Sequence, residues 1–352
     1  VRLVFGFLAG GPSPYEPVHP ENSFVLAFQA LPLILIMSVL SKLLYHWGIL
    51  QRIVRFFAFA LERTLGVDGP VATGAAANIF VGMVEAPLLI RPYLASMSRA
   101  GLFATMTVGM AGIAGTVLAL YASILKDAVP GVAGHLIVAS VMSVPAALVI
   151  SALMVPEGAG DKPAAHNPAP ALDPGFPDAP HSSMDAIAEG TREGLELLAN
   201  VTAMLIVAVA LVSLTNMILG RLAAPFGLDL SLQRILGWAL APLAWAIGIP
   251  WGECGTAGSL LGVKTILNEF VAYLQMSALP ADALSPRARL IMTYALCGFA
   301  NFGSLGILIG GLASMAPQRR AEIVDLGFRT IIAGTLATLM TAAVVGVVTH
   351  IS

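Results

Sequence analysis

Charge is what this sequence has least of. Of 352 residues, 18 are Lys or Arg and 20 are Asp or Glu, or 11% in all, against roughly 25% in an ordinary soluble domain. Hydrophobic residues make up 57%. A water-soluble fold of this length has too few charged side chains here to cover its surface, which excludes a globular enzyme in water and a disordered chain. The net charge of -2 leaves no basic face for a nucleic acid. Cysteine is also scarce. Cys254 and Cys297 are the two in the chain, too few for a disulfide framework or a thiolate metal site, and their apolar, Gly-rich surroundings suit small packed residues. Six scattered histidines form no H-E-x-x-H, and neither a G-x-S-x-G nor a P-loop is present. With no nucleophile–base pair and no cofactor motif, the expectation is a protein that is not an enzyme.

What is abundant is uncharged sequence. Runs of 26 residues after Arg99, 29 after Asp127, 24 after Glu196, 29 after Arg289 and 23 after Arg329 carry no Asp, Glu, Lys or Arg, and 23–41 adds a sixth apolar stretch. A helix needs about 20 apolar residues to cross the hydrocarbon of a bilayer. Six crossings are therefore expected. Two further apolar segments are too short or too broken to span. Residues 70–95 run into Glu85-Ala86-Pro87, and 251–276 hold Lys264, Asn268 and Glu269. Such segments suit hairpins that enter the membrane and return. Each follows an amphipathic stretch, 49–65 with Arg52, Arg55, Glu62 and Arg63, and 230–247 with Arg234, Trp238 and Trp245.

The segment 157–183, rich in Pro, Ala, Asp and His, cannot bury an apolar face and divides the chain. Either side of it the same parts recur: amphipathic helix, hairpin with a Glu, Gly-interrupted helix, final crossing. GMAGIAG (109–115) and CGFANFGSLG (297–306) are the interruptions. An extra crossing at 197–220 makes the second half enter from the opposite side. The expected fold is an all-α polytopic membrane protein, with inverted repeats, two re-entrant hairpins and two broken helices. Its parts are 1–48 (N-terminal segment and first crossing), 49–155 (first repeat), 156–183 (cytoplasmic loop), 184–229 (extra crossing) and 230–352 (second repeat). Lys42, Arg52, Arg55, Arg63, Arg91, Arg99, Arg319, Arg320 and Arg329 outnumber the basic residues of the other side, so theirs is the cytoplasmic face. No cleavable leader is visible in VRLVFGFLAGG, and the missing Met suggests a chain whose true start lies upstream.

Ionisable and strongly polar groups at membrane depth mark candidate sites. They are Asn78 to Glu85 at the first hairpin tip, Lys264 with Asn268 and Glu269 at the second, and Asn301 to Ser304 in the second interruption. An Asn both donates and accepts, which suits a sugar hydroxyl. An internal Lys264–Glu269 pair is the plainer alternative for Lys264. Gly306 and Gly310 read as a close-packing face, and PQRR (317–320) as a solvated turn.

These residues resemble the concentrative nucleoside transporter family. AAANIFVGMVEAPLLIRPYL (75–94) is similar to its first hairpin, GSLLGVKTILNEFVAYL (258–274) to its second, and ALCGFANFGSLGILIGGL (295–312) with APQRR to its second broken helix. The resemblance implies an inner-membrane, multi-pass homotrimer, surrounded by lipid, that imports a nucleoside with a cation by an elevator-type mechanism. By matched motif it places Gly82, Met83, Val84, Glu85 and Val117 near the base, and Glu269, Phe299, Asn301 and Ser304 near the ribose. It places Na⁺ at Asn78, Val81, Gly112 and Ile113. Met83 and Val84 stand where the family usually has Gln and Ser/Thr, which points to purine or broad base preference. Gly112 stands where a Ser or Thr is frequent, so proton coupling through Glu85 remains the alternative to Na⁺, beside an uncoupled facilitator. Gly303 replaces a Ser.

Overall fold

The computed structural model of the chain describes residues 1–12, 14–16, 25–158, 180–227 and 230–349. Among them every regular element is helical. Two short helices, α1 (Arg2–Phe5) and α2 (Leu26–Gln29), precede α3 (Leu33–His46). The amphipathic α4 (Ile49–Leu65) buries Leu50, Val54 and Ala58 and leaves Phe56 and Phe59 exposed. The first hairpin follows as α5 (Gly69–Asn78), α6 (Glu85–Leu88) and α7 (Arg91–Leu94). Then come α8 (Arg99–Ala111) and α9 (Gly115–Leu125), the halves of one interrupted helix, and α10 (Val132–Met154). The Pro-rich segment lies largely outside the described residues.

The second half opens with α11 (Ser183–Ala223), whose 41 residues extend about 60 Å, twice the hydrocarbon thickness. It repeats the order of the first half. The amphipathic α12 (Leu232–Ala246) leads to the hairpin α13 (Cys254–Ile266) and α14 (Glu269–Ala278). The interrupted pair α15 (Pro286–Leu296) and α16 (Phe302–Met315) and then α17 (Arg320–Val348) complete it. The repeats match down to their caps: Ser98 Oγ accepts the Gly101 N–H at the start of α8, and Ser285 Oγ accepts the Ala288 N–H at the start of α15.

Among the described residues, five helical stretches are long and apolar enough to cross a membrane: Leu26–His46, Arg99–Leu125, Val132–Met154, Ser183–Ala223 and Pro317–Val348. The expected sixth, 290–318, is divided. Its apolar second half is α16, 14 residues long, and the chain from Cys297 to Asn301 is not helical. The two hairpins also differ. α14 is a continuous ten-residue helix, whereas the return arm of the first hairpin is two single turns. Pro92 has no N–H to give to the Leu88 carbonyl, which disfavours one continuous helix from Glu85, although α10 and α12 do run through Pro145 and Pro242.

Small residues set the helix contacts. A Cβ on Gly190 or Gly194 of α11 would meet the α3 backbone, 2.8 Å from Val39 Cα and 3.0 Å from Leu35 Cα respectively. A Cβ on Gly258 of α13 would lie 2.5 Å from the Gly237 carbonyl of α12. These pairs approach backbone to backbone. Gly306 and Gly310 do not: neither has an atom within 4 Å of its would-be Cβ. On α16 it is Gly311 that receives a neighbour, the Val84 side chain. The G-x-x-x-G spacing identified glycines on one face, but that face of α16 is turned away from the protein.

Arginines of the second half fasten the hairpin ends. The Arg289 guanidinium donates to the carbonyls of Leu284, Met276, Leu279 and Pro280 at the end of α14. Arg319 donates to the carbonyls of Leu94 and Met97 at the end of α7 and pairs with Glu322. The PQRR stretch is therefore a clamp on the first hairpin rather than a free solvated turn.

Candidate functional site

The two interruptions meet in the middle of the molecule. α8 ends at Gly112, whose extended backbone (φ -98°, ψ 174°) turns its carbonyl toward the second interruption, where the Phe299 N–H donates to it at 3.2 Å. A Cβ on Gly298 would lie 2.7 Å from the Ala111 carbonyl, so a glycine is required at this crossing. Each interruption frees backbone groups that a continuous helix would have paired, and side chains take their place.

Glu269 is the first residue of α14 and only 4% exposed. Asn268 Oδ1 accepts the Val271 N–H and so caps α14, which fixes where Glu269 emerges. Both carboxylate oxygens are engaged. Oε1 accepts the Tyr121 hydroxyl at 2.5 Å, and Oε2 accepts Asn301 Nδ2 at 3.2 Å. Asn301, 1% exposed, caps α16 with its other end: Oδ1 accepts the Ser304 N–H at 2.8 Å. The cap orients the amide so that its NH₂ group faces Glu269. Ser304 is buried one turn into α16, and Phe299 packs between the two largest apolar clusters. Val117 is buried one turn before Tyr121 on α9. Glu269, Tyr121 and Asn301 thus form one buried polar group with Ser304 tied to Asn301, and Phe299 and Val117 lie two and four residues from its members.

The first hairpin tip reaches the same helix further along. Val84 packs on Gly311, and Met83 packs against Gly109 of α8, which also neighbours Leu308. Gly311 follows Ser304 by seven residues, about 10 Å along α16. Glu85 is exposed at the start of α6, with its carboxylate folded over Gly82. Glu85 and Glu269 hold matching places in the two repeats but opposite environments.

The remaining group lies at the first interruption. Asn78, the last residue of α5, is 3% exposed, and its Nδ2 donates to the Val108 carbonyl at 3.0 Å. That nitrogen lies 2.5 Å from where a Gly112 Cβ would be. The Ile79 carbonyl accepts the Ser140 hydroxyl and the Phe80 carbonyl accepts the Gly115 N–H. Val81 is the next residue of this turn, and Ile113 is buried beside Gly112. Asn78, the 79–80 turn and the Gly112–Gly115 break therefore meet as neutral groups, with Val81 and Ile113 their neighbours in sequence. Among the described residues no group of His, Cys, Asp and Glu is arranged to hold a metal ion. Neutral oxygens fit a monovalent cation better than a divalent one.

Lys264 does not pair with Glu269. It is fully buried, and its ammonium donates to the Ala295 carbonyl at 2.7 Å and to Thr338 Oγ1 at 2.8 Å. It fastens α13 to the end of α15 and to α17, at a helix C-terminus where a positive charge is favoured. The residue missed by sequence reasoning is Tyr121. It lies four positions after Val117 on the same face of α9, and that spacing was the available signal.

A helical membrane protein with two interrupted helices crossing at a buried carboxylate is a transporter architecture. Residues 135–346 match the model of the family described as "Na+ dependent nucleoside transporter C-terminus", and residues 27–128 that described as "Nucleoside recognition". The chain is 42% identical to an uncharacterized transporter of Haemophilus influenzae, over 98% of this chain and 80% of that one. It is 39% identical to the nucleoside permease NupC of Helicobacter pylori, again over 98% and 80%. Among solved structures, CNTnw in an inward-facing substrate-bound state superposes with a TM-score of 0.88 at 40% identity, over 98% of this chain and 80% of that one. The chain belongs to the Na⁺-dependent, concentrative nucleoside transporter family, a family of multi-pass membrane transporters and not of enzymes.

Proposed function

We propose that this protein is a Na⁺-coupled nucleoside symporter of the inner membrane that imports its substrate by an elevator-type movement. The observation that carries the reading is the buried Glu269 carboxylate, which is held by Tyr121 and Asn301 where the two helix interruptions cross. A charged acceptor at membrane depth is retained for a ligand, and a carboxylate beside an amide matches the vicinal hydroxyls of ribose. Ser304 and Phe299 flank that group. Gly82, Met83, Val84, Glu85 and Val117 would surround the base. The apolar Met83 and Val84 make few polar demands on it, which favours broad or purine-leaning selectivity.

Na⁺ would bind at Asn78, the Val81 carbonyl, Gly112 and Ile113. The family's description and the neutral character of that cluster support this ion. One observation favours the second reading, proton coupling through Glu85. Gly112 brings no hydroxyl, and Glu85 is exposed at the first hairpin tip. In the elevator reading the re-entrant hairpins and interrupted helices, within 49–155 and 248–352, move against a scaffold of 23–45, about 184–220 and the second amphipathic helix (230–247), with the cytoplasmic loop 156–183 joining the two halves. The exposed Ile206, Leu211, Leu214 and Ile218 of α11 would face lipid and the other copies of a homotrimer.

The test is uptake of labelled uridine and adenosine by Glu269→Gln and Asn301→Ala variants in cells, with membrane abundance measured alongside. Loss of uptake at unchanged abundance is expected. Wild-type uptake by either variant would contradict the ribose assignment.

A further inference from the structure

Tyr121 joins the two candidate sites. Its ring is buried against Tyr273 and Phe270, with centroids 5.0 and 6.1 Å away, and its hydroxyl holds one oxygen of Glu269. Tyr273 cannot stand in for it, because its own hydroxyl is committed to the Thr293 carbonyl at 2.7 Å. The helix that carries Tyr121 begins at the cation cluster. Gly115, the first residue of α9, donates its N–H to the Phe80 carbonyl, and a Cβ there would lie 2.6 Å from that oxygen. Six residues of α helix, about 9 Å, connect this contact to Tyr121. A shift in the 79–81 turn or in the 112–114 break is thus carried along a rigid element to the phenol. A second link is independent of the first: the Gly112 carbonyl accepts the Phe299 N–H, two residues before Asn301.

We propose that Tyr121 is a positioning residue that couples cation occupancy of the first interruption to the orientation of the Glu269 carboxylate. The inference rests on the site assignments under Proposed function and deepens them. A cation drawn to the carbonyls of the break holds the start of α9. The phenol then keeps Glu269 Oε1 in place, and Oε2 with the Asn301 amide is presented to the ribose hydroxyls. Without the cation α9 is less constrained at its start, and the carboxylate loses its fixed orientation. By linkage, the nucleoside must favour the cation by the same factor.

Tyr121→Phe removes one oxygen and keeps the ring packing. The experiment measures equilibrium binding of uridine and of 2′,3′-dideoxyuridine to the purified full chain, at saturating Na⁺ and with Na⁺ replaced by choline. In the wild type Na⁺ tightens uridine binding. In Tyr121→Phe that enhancement is expected to fall by about fivefold or more, with dideoxyuridine binding unchanged because that ligand lacks the vicinal 2′ and 3′ hydroxyls assigned to Glu269. Tyr273→Phe serves as the comparison for packing alone, expected to lower the melting temperature and preserve the Na⁺ enhancement. A wild-type Na⁺ enhancement in Tyr121→Phe overturns the proposal. Should that variant not fold, 3-fluorotyrosine at position 121 gives a second readout. Its ¹⁹F signal is expected to shift on Na⁺ addition before nucleoside is present, and an unmoved signal also overturns the proposal. Glu269→Gln separates the two levels. Wild-type uridine affinity in Glu269→Gln defeats the site assignment itself. Lost affinity there, with wild-type coupling in Tyr121→Phe, defeats the coupling role alone.

Discussion

At the scale of single residues, Asn301 performs two separable tasks, one with each end of its amide. The oxygen caps α16 and the nitrogen engages Glu269. Serine is also a good N-cap but offers no amide NH₂. Asn301→Ser is therefore expected to keep the melting temperature and lose nucleoside affinity, whereas Asn301→Ala loses affinity and about 1 kcal/mol of stability as well. Thermal melts and binding isotherms on the two variants separate the tasks. Lys264 has a different job. Its ammonium donates to the Ala295 carbonyl and to Thr338 while fully buried. Lys264→Met leaves those groups without their donor, a loss of about 1–3 kcal/mol, read as a lowered melting temperature. Most of the carboxylate site was legible at this scale, because Glu269 and Asn301 are polar residues in apolar runs and polarity at membrane depth is rare. Tyr121 was not. A tyrosine in an apolar run is ordinary, and its partner is 148 positions away in sequence.

At the scale of elements, spacing and composition located nearly every helix, because uncharged length and amphipathic period are local properties. The amphipathic 49–65 and the interruptions at 109–115 and 297–306 fall where the composition puts them. What a local pattern cannot tell is which face of a helix meets a neighbour. Gly306 and Gly310 have the packing spacing and no neighbour, while Gly237 and Gly258 form the close seam between α12 and α13. The contrast is testable by thermal melts. Gly306→Ala and Gly310→Ala are expected to leave the melting temperature unchanged or raise it, since alanine favours a helix by about 1 kcal/mol over glycine. Gly258→Val drives side-chain atoms into the α12 backbone and is expected to lower it, at about 1–3 kcal/mol or more for an overpacked contact. Arg289 gathers four carbonyls at one helix end. Lysine has no planar fork to do the same, so Arg289→Lys is expected to loosen the second hairpin and raise hydrogen exchange at 276–284.

At the scale of the whole molecule, the repeats bring their interruptions together, so that a neutral oxygen cluster in one half lies beside a carboxylate site built from both. The hairpin ends are fastened by Arg289 and Arg319, α13 is fastened to α15 and α17 by Lys264, and α3 lies against α11 along Gly190 and Gly194. Ala30, Leu31 and Ile34, at and before the start of α3, also join the main apolar cluster with Val117 and Tyr121 of α9, so the helix pair is packed on the central body. The central claim of the proposed function is that a Na⁺ gradient drives nucleoside accumulation through the two crossing interruptions. The most direct measurement is uptake of labelled uridine and adenosine into proteoliposomes of the full-length protein, with an imposed Na⁺ gradient or an imposed pH gradient. Accumulation above equilibrium with the Na⁺ gradient alone is the predicted result. Accumulation driven only by the pH gradient, or uptake that never exceeds equilibrium under either, would contradict it.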